Sequence, residues 1–174
     1  MDKKDRLGTR TWSTLLLFGL FGQLAWGVEN MYFNLFLYNK ISGDPHAIAW
    51  MVAASAATAT ITTMLIGALS DRVSRRKIFI SVGYILWGIS TMAFAFISVD
   101  KVAKVFTHGN AIAIAAALVV IMDCIMTFFG STANDCAFNA WVTDVTDSNN
   151  RGRVEGVLAT LPLVAMLVLF GGFD

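Results

Sequence analysis

An all-α integral membrane protein with about five spans is what this sequence predicts, and three observations carry the prediction. Of 174 residues, 56% are hydrophobic and only 14% are charged, where soluble domains average about 25% charged. A globule of this length has too little interior for so much apolar surface, so lipid must solvate the remainder. The apolar residues also gather into runs of span length, about 20 residues each, at 12–38, 47–69, 78–99, 111–142 and 156–173. The same composition excludes disorder, and a formal net charge of +1 gives no footprint for nucleic acid.

The first run follows a basic start and imitates a signal peptide, but it is too long for one and no small-residue cleavage site follows. It is read as a span. The second run is rich in Ala, Ser and Thr (Ser55, Thr58, Thr60, Thr62, Thr63), which suits close helix packing. The fourth exceeds the need of a bilayer, so it is tilted, extended beyond the membrane, or shorter than drawn. Trp12, Tyr38, Trp50 and Trp141 lie near the proposed ends and suit interfacial anchoring, whereas Trp26 and Trp87 sit mid-span.

Orientation follows from the cations. Lys3, Lys4, Arg6 and Arg10 precede span one, Arg72, Arg75, Arg76 and Lys77 follow span two, and Arg151 and Arg153 follow span four. The opposite side holds only Lys40, Lys101 and Lys104. The positive-inside rule therefore places the N-terminus in the cytoplasm. Cys124 and Cys136 are about 18 Å apart if one helix holds both, too far for a disulfide, and they read as packing residues. His46 and His108 stand alone in loops, outside any metal-ligand spacing.

The second cytoplasmic loop reads Gly67-Ala-Leu69-Ser-Asp71-Arg72-Val-Ser74-Arg75-Arg76-Lys77. It resembles the major facilitator superfamily, whose loop reads G-x-L-x-D-R-x-G-R-R-[RK]; Ser74 stands where the family has Gly. The fourth loop agrees, with Asp144, Asp147 and Arg151-Gly152 at family spacings, although the family proline three residues after the acid is missing. The resemblance implies alternating access by twelve spans in two halves, each of two inverted three-span repeats. Five spans would be a partial N-terminal bundle over 1–174, with the C-terminal half as its missing partner. It further implies a cytoplasmic gate in which Arg75 pairs with Asp144 and Asp71 touches the other half.

An internal echo fits two repeats. Glu29-Asn30-Met-Tyr-Phe33-Asn34-Leu-Phe-Leu and Asn134-Asp135-Cys-Ala-Phe138-Asn139-Ala-Trp-Val share one pattern, polar-polar-x-x-Phe-Asn-x-aromatic-aliphatic. Polar and ionisable residues inside spans are functional candidates, because lipid penalises them. At about 100° per residue, Gln23, Asn30 and Asn34 fall within about 40° of one another, with Trp26 beside them and Glu29 about 120° away. In span four, Asp123, Thr127, Ser131, Asn134 and Asp135 spread over about 120° of one side. Carboxamides beside an indole suit a sugar-like solute, offering paired donors and acceptors and a ring for stacking. Gln23, Trp26, Asn30, Asn34, Asn134 and Asn139 are thus the expected solute contacts, with interhelical hydrogen bonding as their alternative role.

Glu29, Asp123 and Asp135 are the candidates for coupling transport to an ion. Residues 135–146 look like span four of the glycoside–pentoside–hexuronide cation symporters, where an acid in a D-x-x-F setting helps hold the cation. Those proteins also use acids in span two, and 47–69 has none. A proton is therefore the expected coupling ion, with sodium the alternative, since burial of one carboxyl suffices to disfavour its charged form. No nucleophile–base pair, metal-ligand cluster or phosphate loop occurs, so neither an enzyme nor a cofactor is expected. The reading is symport of a small polar solute across the plasma membrane. Efflux of drugs or metabolites and a non-transporting half bundle are the alternatives.

Overall fold

The computed structural model describes residues 7–73, 75–106 and 109–172. Lys3, Lys4, Arg6, Ser74, His108 and the last two positions lie outside them. Five helices are long and apolar enough to cross a membrane: α1 (Thr9–Ile41), α2 (Pro45–Val73), α3 (Arg76–Phe96), α5 (Ala111–Val145) and α6 (Arg151–Gly172). A short helix, α4 (Val99–Val105), joins α3 to α5. There is no strand among the described residues.

Local chemistry explains where the helices start. Pro45 opens α2 with its fixed φ, and the Asp44 carboxylate accepts the His46 N–H at 2.9 Å, so His46 is in the first turn of a helix and not in a loop. The Asn110 side chain accepts from the N–H groups of Ile112 and Ala113 at 3.1 and 3.3 Å and starts α5. Ile97 and Ser98 are extended, which ends the third span at Phe96 rather than at 99; the Ser98 hydroxyl then caps α4. The fourth span is one continuous helix of 35 residues, so it is not shorter than drawn. The last helix begins at Arg151, five residues before the expected 156, and is interrupted at Ala159–Thr160, just before Pro162.

Two of these helices contain segments wound wider than an α-helix. Glu29–Phe33 and Leu37–Ile41 in α1, and Ser131–Phe138 in α5, wind as wider π turns. Such turns are uncommon and frequently lie at functional sites.

The packing has an internal symmetry. α1 packs along α6 and α2 packs along α5, which are equivalent pairings if spans one and four correspond. α3 lies against α5, where Gly83 faces Ala133 and Gly130 faces the Trp87 ring. Toward α1, α3 presents aromatic side chains: Phe18 meets Tyr84, Trp26 meets Trp87 and Phe33 stacks on Phe94 at 4.1 Å between centroids. One buried cluster, including Leu37, Met51, Trp87, Phe94, Val119 and Met126, fills the outer half of the bundle. A smaller one, Leu15, Phe138, Val142 and Val154, fills the half nearest the N-terminus. Trp50, Met64, Met92 and Leu167 are among the many large apolar side chains left outside, as a lipid-facing surface requires.

Candidate functional site

The site begins at the wide turn of α1. A π turn closes i→i+5 hydrogen bonds, so residues five apart come to one face, and Glu29 and Asn34 are brought together. The regular wheel sends Glu29 about 120° away from Gln23 and Asn30, and the burial agrees: Glu29 turns into the bundle while Asn30 is exposed, the two bordering one cavity with Asn34. What the extra residue in the turn displaces is Asn34, which the regular wheel aligns with Gln23 and Asn30.

Glu29 is 4% exposed. Its Oε1 accepts the Thr127 hydroxyl at 2.9 Å and its Oε2 accepts the Trp87 indole N–H at 3.1 Å. The cavity beside it, about 160 Å³, is also lined by Trp26, Ser55 and Asp123. Asp123 is buried and accepts the Ser55 hydroxyl of α2. It therefore lies within the bundle rather than at the outer membrane face. Asn34 Nδ2 donates to the Asn30 carbonyl, while Asn34 Oδ1 is buried with no partner among the described residues. Two carboxyls, two hydroxyls and two carboxamides thus converge where α1, α2 and α5 meet.

A second, larger cleft of about 510 Å³ lies between α1 and α6, lined by Gln23, Trp26, Gly27, Asn30 and Met31 on one side and Pro162, Ala165, Met166 and Phe170 on the other. Trp26 and Asn30 line both spaces. The expected carboxamide stripe is therefore divided: Gln23 belongs to the cleft, Asn34 to the inner cavity, and Asn30 to both.

The matching segment of α5 is arranged otherwise. Asn134 is buried, and its Oδ1 lies 3.1 Å from the Tyr84 hydroxyl, which is also 3.1 Å from the Phe18 carbonyl. Asn134 thereby ties α5 to α3 and α1 and lines neither space. Asp135 is half-buried and accepts from Asn134 Nδ2 at 3.2 Å. Asn139 is exposed, its Nδ2 bound to the Asp135 carbonyl of its own helix.

At the cytoplasmic end expected from the charges, the ion pair forms with a different arginine. Arg76, not Arg75, donates through Nε to Asp144 at 2.8 Å and through Nη1 to Asp71 at 2.7 Å and Ser70 at 2.8 Å. Arg75 precedes the first helical residue and is exposed, whereas Arg76 opens α3 on the side turned to the end of α5. Asp71 consequently contacts this same arginine within the bundle. Gly67 and Arg72 stand on the last turns of α2. Arg151 donates to the Thr143 carbonyl and the Thr146 hydroxyl, holding the C-terminal end of α5, where a cation also opposes the helix dipole.

Ser55, Tyr84, Trp87 and Thr127 were not singled out as site residues from sequence. Thr127 carried a signal only as part of the polar stripe of span four, Ser55 only as one of the small packing residues of span two, and Trp87 only as a tryptophan remote from either interface. Among the described residues no three His, Cys, Asp or Glu side chains form a metal-binding group.

Comparison with curated proteins and with solved structures gave no match. The family model described as Major Facilitator Superfamily matches residues 15–171, most of the sequence. With five apolar helices arranged as two related pairs and an arginine clasping the ends of α2 and α5, the chain belongs to the major facilitator superfamily, a family of transporters.

Proposed function

We propose that this chain forms most of the N-terminal bundle of a secondary active transporter that moves a small polar solute, a sugar or a related compound, together with protons across the plasma membrane. The observation that carries the reading is the shared wall. Trp26 and Asn30 line both the cleft that holds Gln23 and the inner cavity that holds Glu29 and Asp123. A solute stacked on Trp26 and bonded to Gln23 and Asn30 would therefore touch the residues that enclose the carboxyls. Its binding and their protonation are mechanically linked through two side chains. Asp135 supplies a third carboxyl near Trp26 on the other repeat, and Asn139 extends its polar face. A second bundle would complete the path, with the Arg76 clasp breaking and re-forming as the two rock.

The test is uptake by the full-length gene product in proteoliposomes, screened with labelled sugars under a proton gradient. Glu29→Gln and Asp135→Asn are each expected to abolish uphill accumulation while sparing solute exchange. Gln23→Ala and Asn30→Ala are expected to raise the half-saturating concentration about fivefold each, one hydrogen bond of about 1 kcal/mol. Accumulation at the wild-type level by both carboxyl variants would remove proton coupling from the mechanism.

One observation favours the alternative of drug or metabolite efflux. The α6 wall of the cleft (Pro162, Ala165, Met166, Phe170) and Met31 are apolar. Competition for the cleft by apolar cations but not by sugars would select that reading.

A further inference from the structure

Trp87 occupies the middle of α3, remote from either membrane interface, and is 3% exposed. Its ring lies flat on Gly130 of α5, where a Cβ would come 2.8 Å from Cε2 and 3.0 Å from Cζ2. Only glycine there lets the indole reach across α5 to Glu29. Thr127 is one turn before Gly130 and is 1% exposed. Thr14, Thr58, Thr60, Thr63, Thr132 and Thr143 all return their hydroxyls to the carbonyl four residues back on their own helix. That is the usual resort of a helical threonine. Thr127 instead donates across to Glu29.

From this geometry we infer that Trp87 and Thr127 are positioning residues that clamp the Glu29 carboxyl, one donor to each oxygen, in the orientation that faces the inner cavity. Three helices contribute one residue each, so the carboxyl is held against the bundle instead of swinging with the wide turn that bears it. Trp87 also lines the groove between α1 and α3 with Phe18, Phe21, Tyr84 and Thr91, and Glu29 is not among the residues that line it. The inference rests on Glu29 as a proton-carrying group, as proposed above.

The test uses the full-length gene product in proteoliposomes, with proton-driven accumulation and solute exchange measured side by side. Trp87→Phe keeps an aromatic ring but removes the N–H. Thr127→Val keeps the shape but removes the hydroxyl, and Thr127→Ser returns it. Trp87→Phe and Thr127→Val are each expected to lower the accumulation ratio about tenfold, as loss of one hydrogen bond to a charged group implies. Exchange is expected to stay within about twofold, and Thr127→Ser to recover most of the accumulation lost in Thr127→Val. Accumulation and exchange falling together would reduce both residues to packing and overturn the inference. So would wild-type accumulation by both variants when Glu29→Gln has lost it. Wild-type accumulation by Glu29→Gln itself would instead overturn the role of Glu29, and the clamp with it.

Discussion

The wide turn of α1 at Glu29–Phe33 and the wide segment of α5 at Ser131–Phe138 stand at equivalent places in the two halves of the bundle, but their surroundings differ. In α5, seven of the eight residues are buried, because α2 and α3 both lie against them. In α1, only Glu29 of the five is buried. Each segment opens its motif with a polar pair, Glu29-Asn30 and Asn134-Asp135, and the first member of each pair turns inward. Trp87 holds Glu29 and Tyr84, one turn earlier on α3, lies beside Asn134. The second member faces outward: Asn30 is exposed and Asp135 half-buried. Acid and amide are thus exchanged between the two repeats, with the acid inside in one and the amide inside in the other. The pattern decides which position is buried, and the residue type at that position decides whether it carries charge or ties helices together.

Three sets of substitutions probe this difference. The largest effect is expected where α3 meets α5. Gly130→Ala and Gly83→Ala each place a methyl group against rigid neighbours, the Trp87 ring and the Ala133 Cβ with its backbone. Each should destabilise the folded protein by about 1–3 kcal/mol, read from SDS-induced unfolding in mixed micelles. Gly19→Ala on the α1 side meets only the tips of Leu161 and Leu158, which can move. Its loss should be clearly smaller, and an equal loss would mean that α1 is packed as rigidly as α5.

A middle-sized effect is expected where Arg76 joins the ends of α2 and α5. Arg76→Ala should cost about 1 kcal/mol, as removal of a partly exposed cation with two carboxylate partners does. Combined with Asp144→Ala, the loss should fall short of the sum by about 0.5 kcal/mol or more. Arg75→Ala should change stability by less than about 0.5 kcal/mol. A larger loss from Arg75 than from Arg76 would reverse the pairing described here.

The smallest effect is expected from Tyr84→Phe, which removes the hydroxyl beside Asn134. Interhelical hydrogen bonds in membranes average about 0.6 kcal/mol, and a loss of that order with unimpaired proton-driven accumulation would separate the tie at Asn134 from the clamp at Glu29. Loss of accumulation in this variant would instead make the two inward positions functionally alike.

Much of the bundle was legible in the sequence. Span number follows from apolar runs that lipid demands, and the loop motif Gly67–Lys77 led to the family. The echo between 29–37 and 134–142 pointed to two of the three segments that wind as π turns, although nothing in it announced the turns. The partner of Asp144 was misread by one residue because a helix start cannot be placed that finely from a basic run. Arg75 lies just before the helix and Arg76 just inside it, and one step along the chain turns a side chain by about 100°. The alignment of Asn34 with Gln23 was misread for a related reason, since a wheel assumes regular winding and the π turn at Glu29–Phe33 departs from it.

The sequence by itself determined the lipid-soluble character, the number of spans, their expected orientation and the polar residues that had to be hidden from lipid. Those properties are local or additive, set by the transfer energy of each residue and by charge beside each run. Only the tertiary structure decided which polar groups meet. Glu29, Trp87 and Thr127 are separated by 58 and 98 positions from Glu29 to its two donors. Gly130 admits the ring that joins them. Such meetings depend on how three helices pack and wind against one another, which no single run of residues encodes.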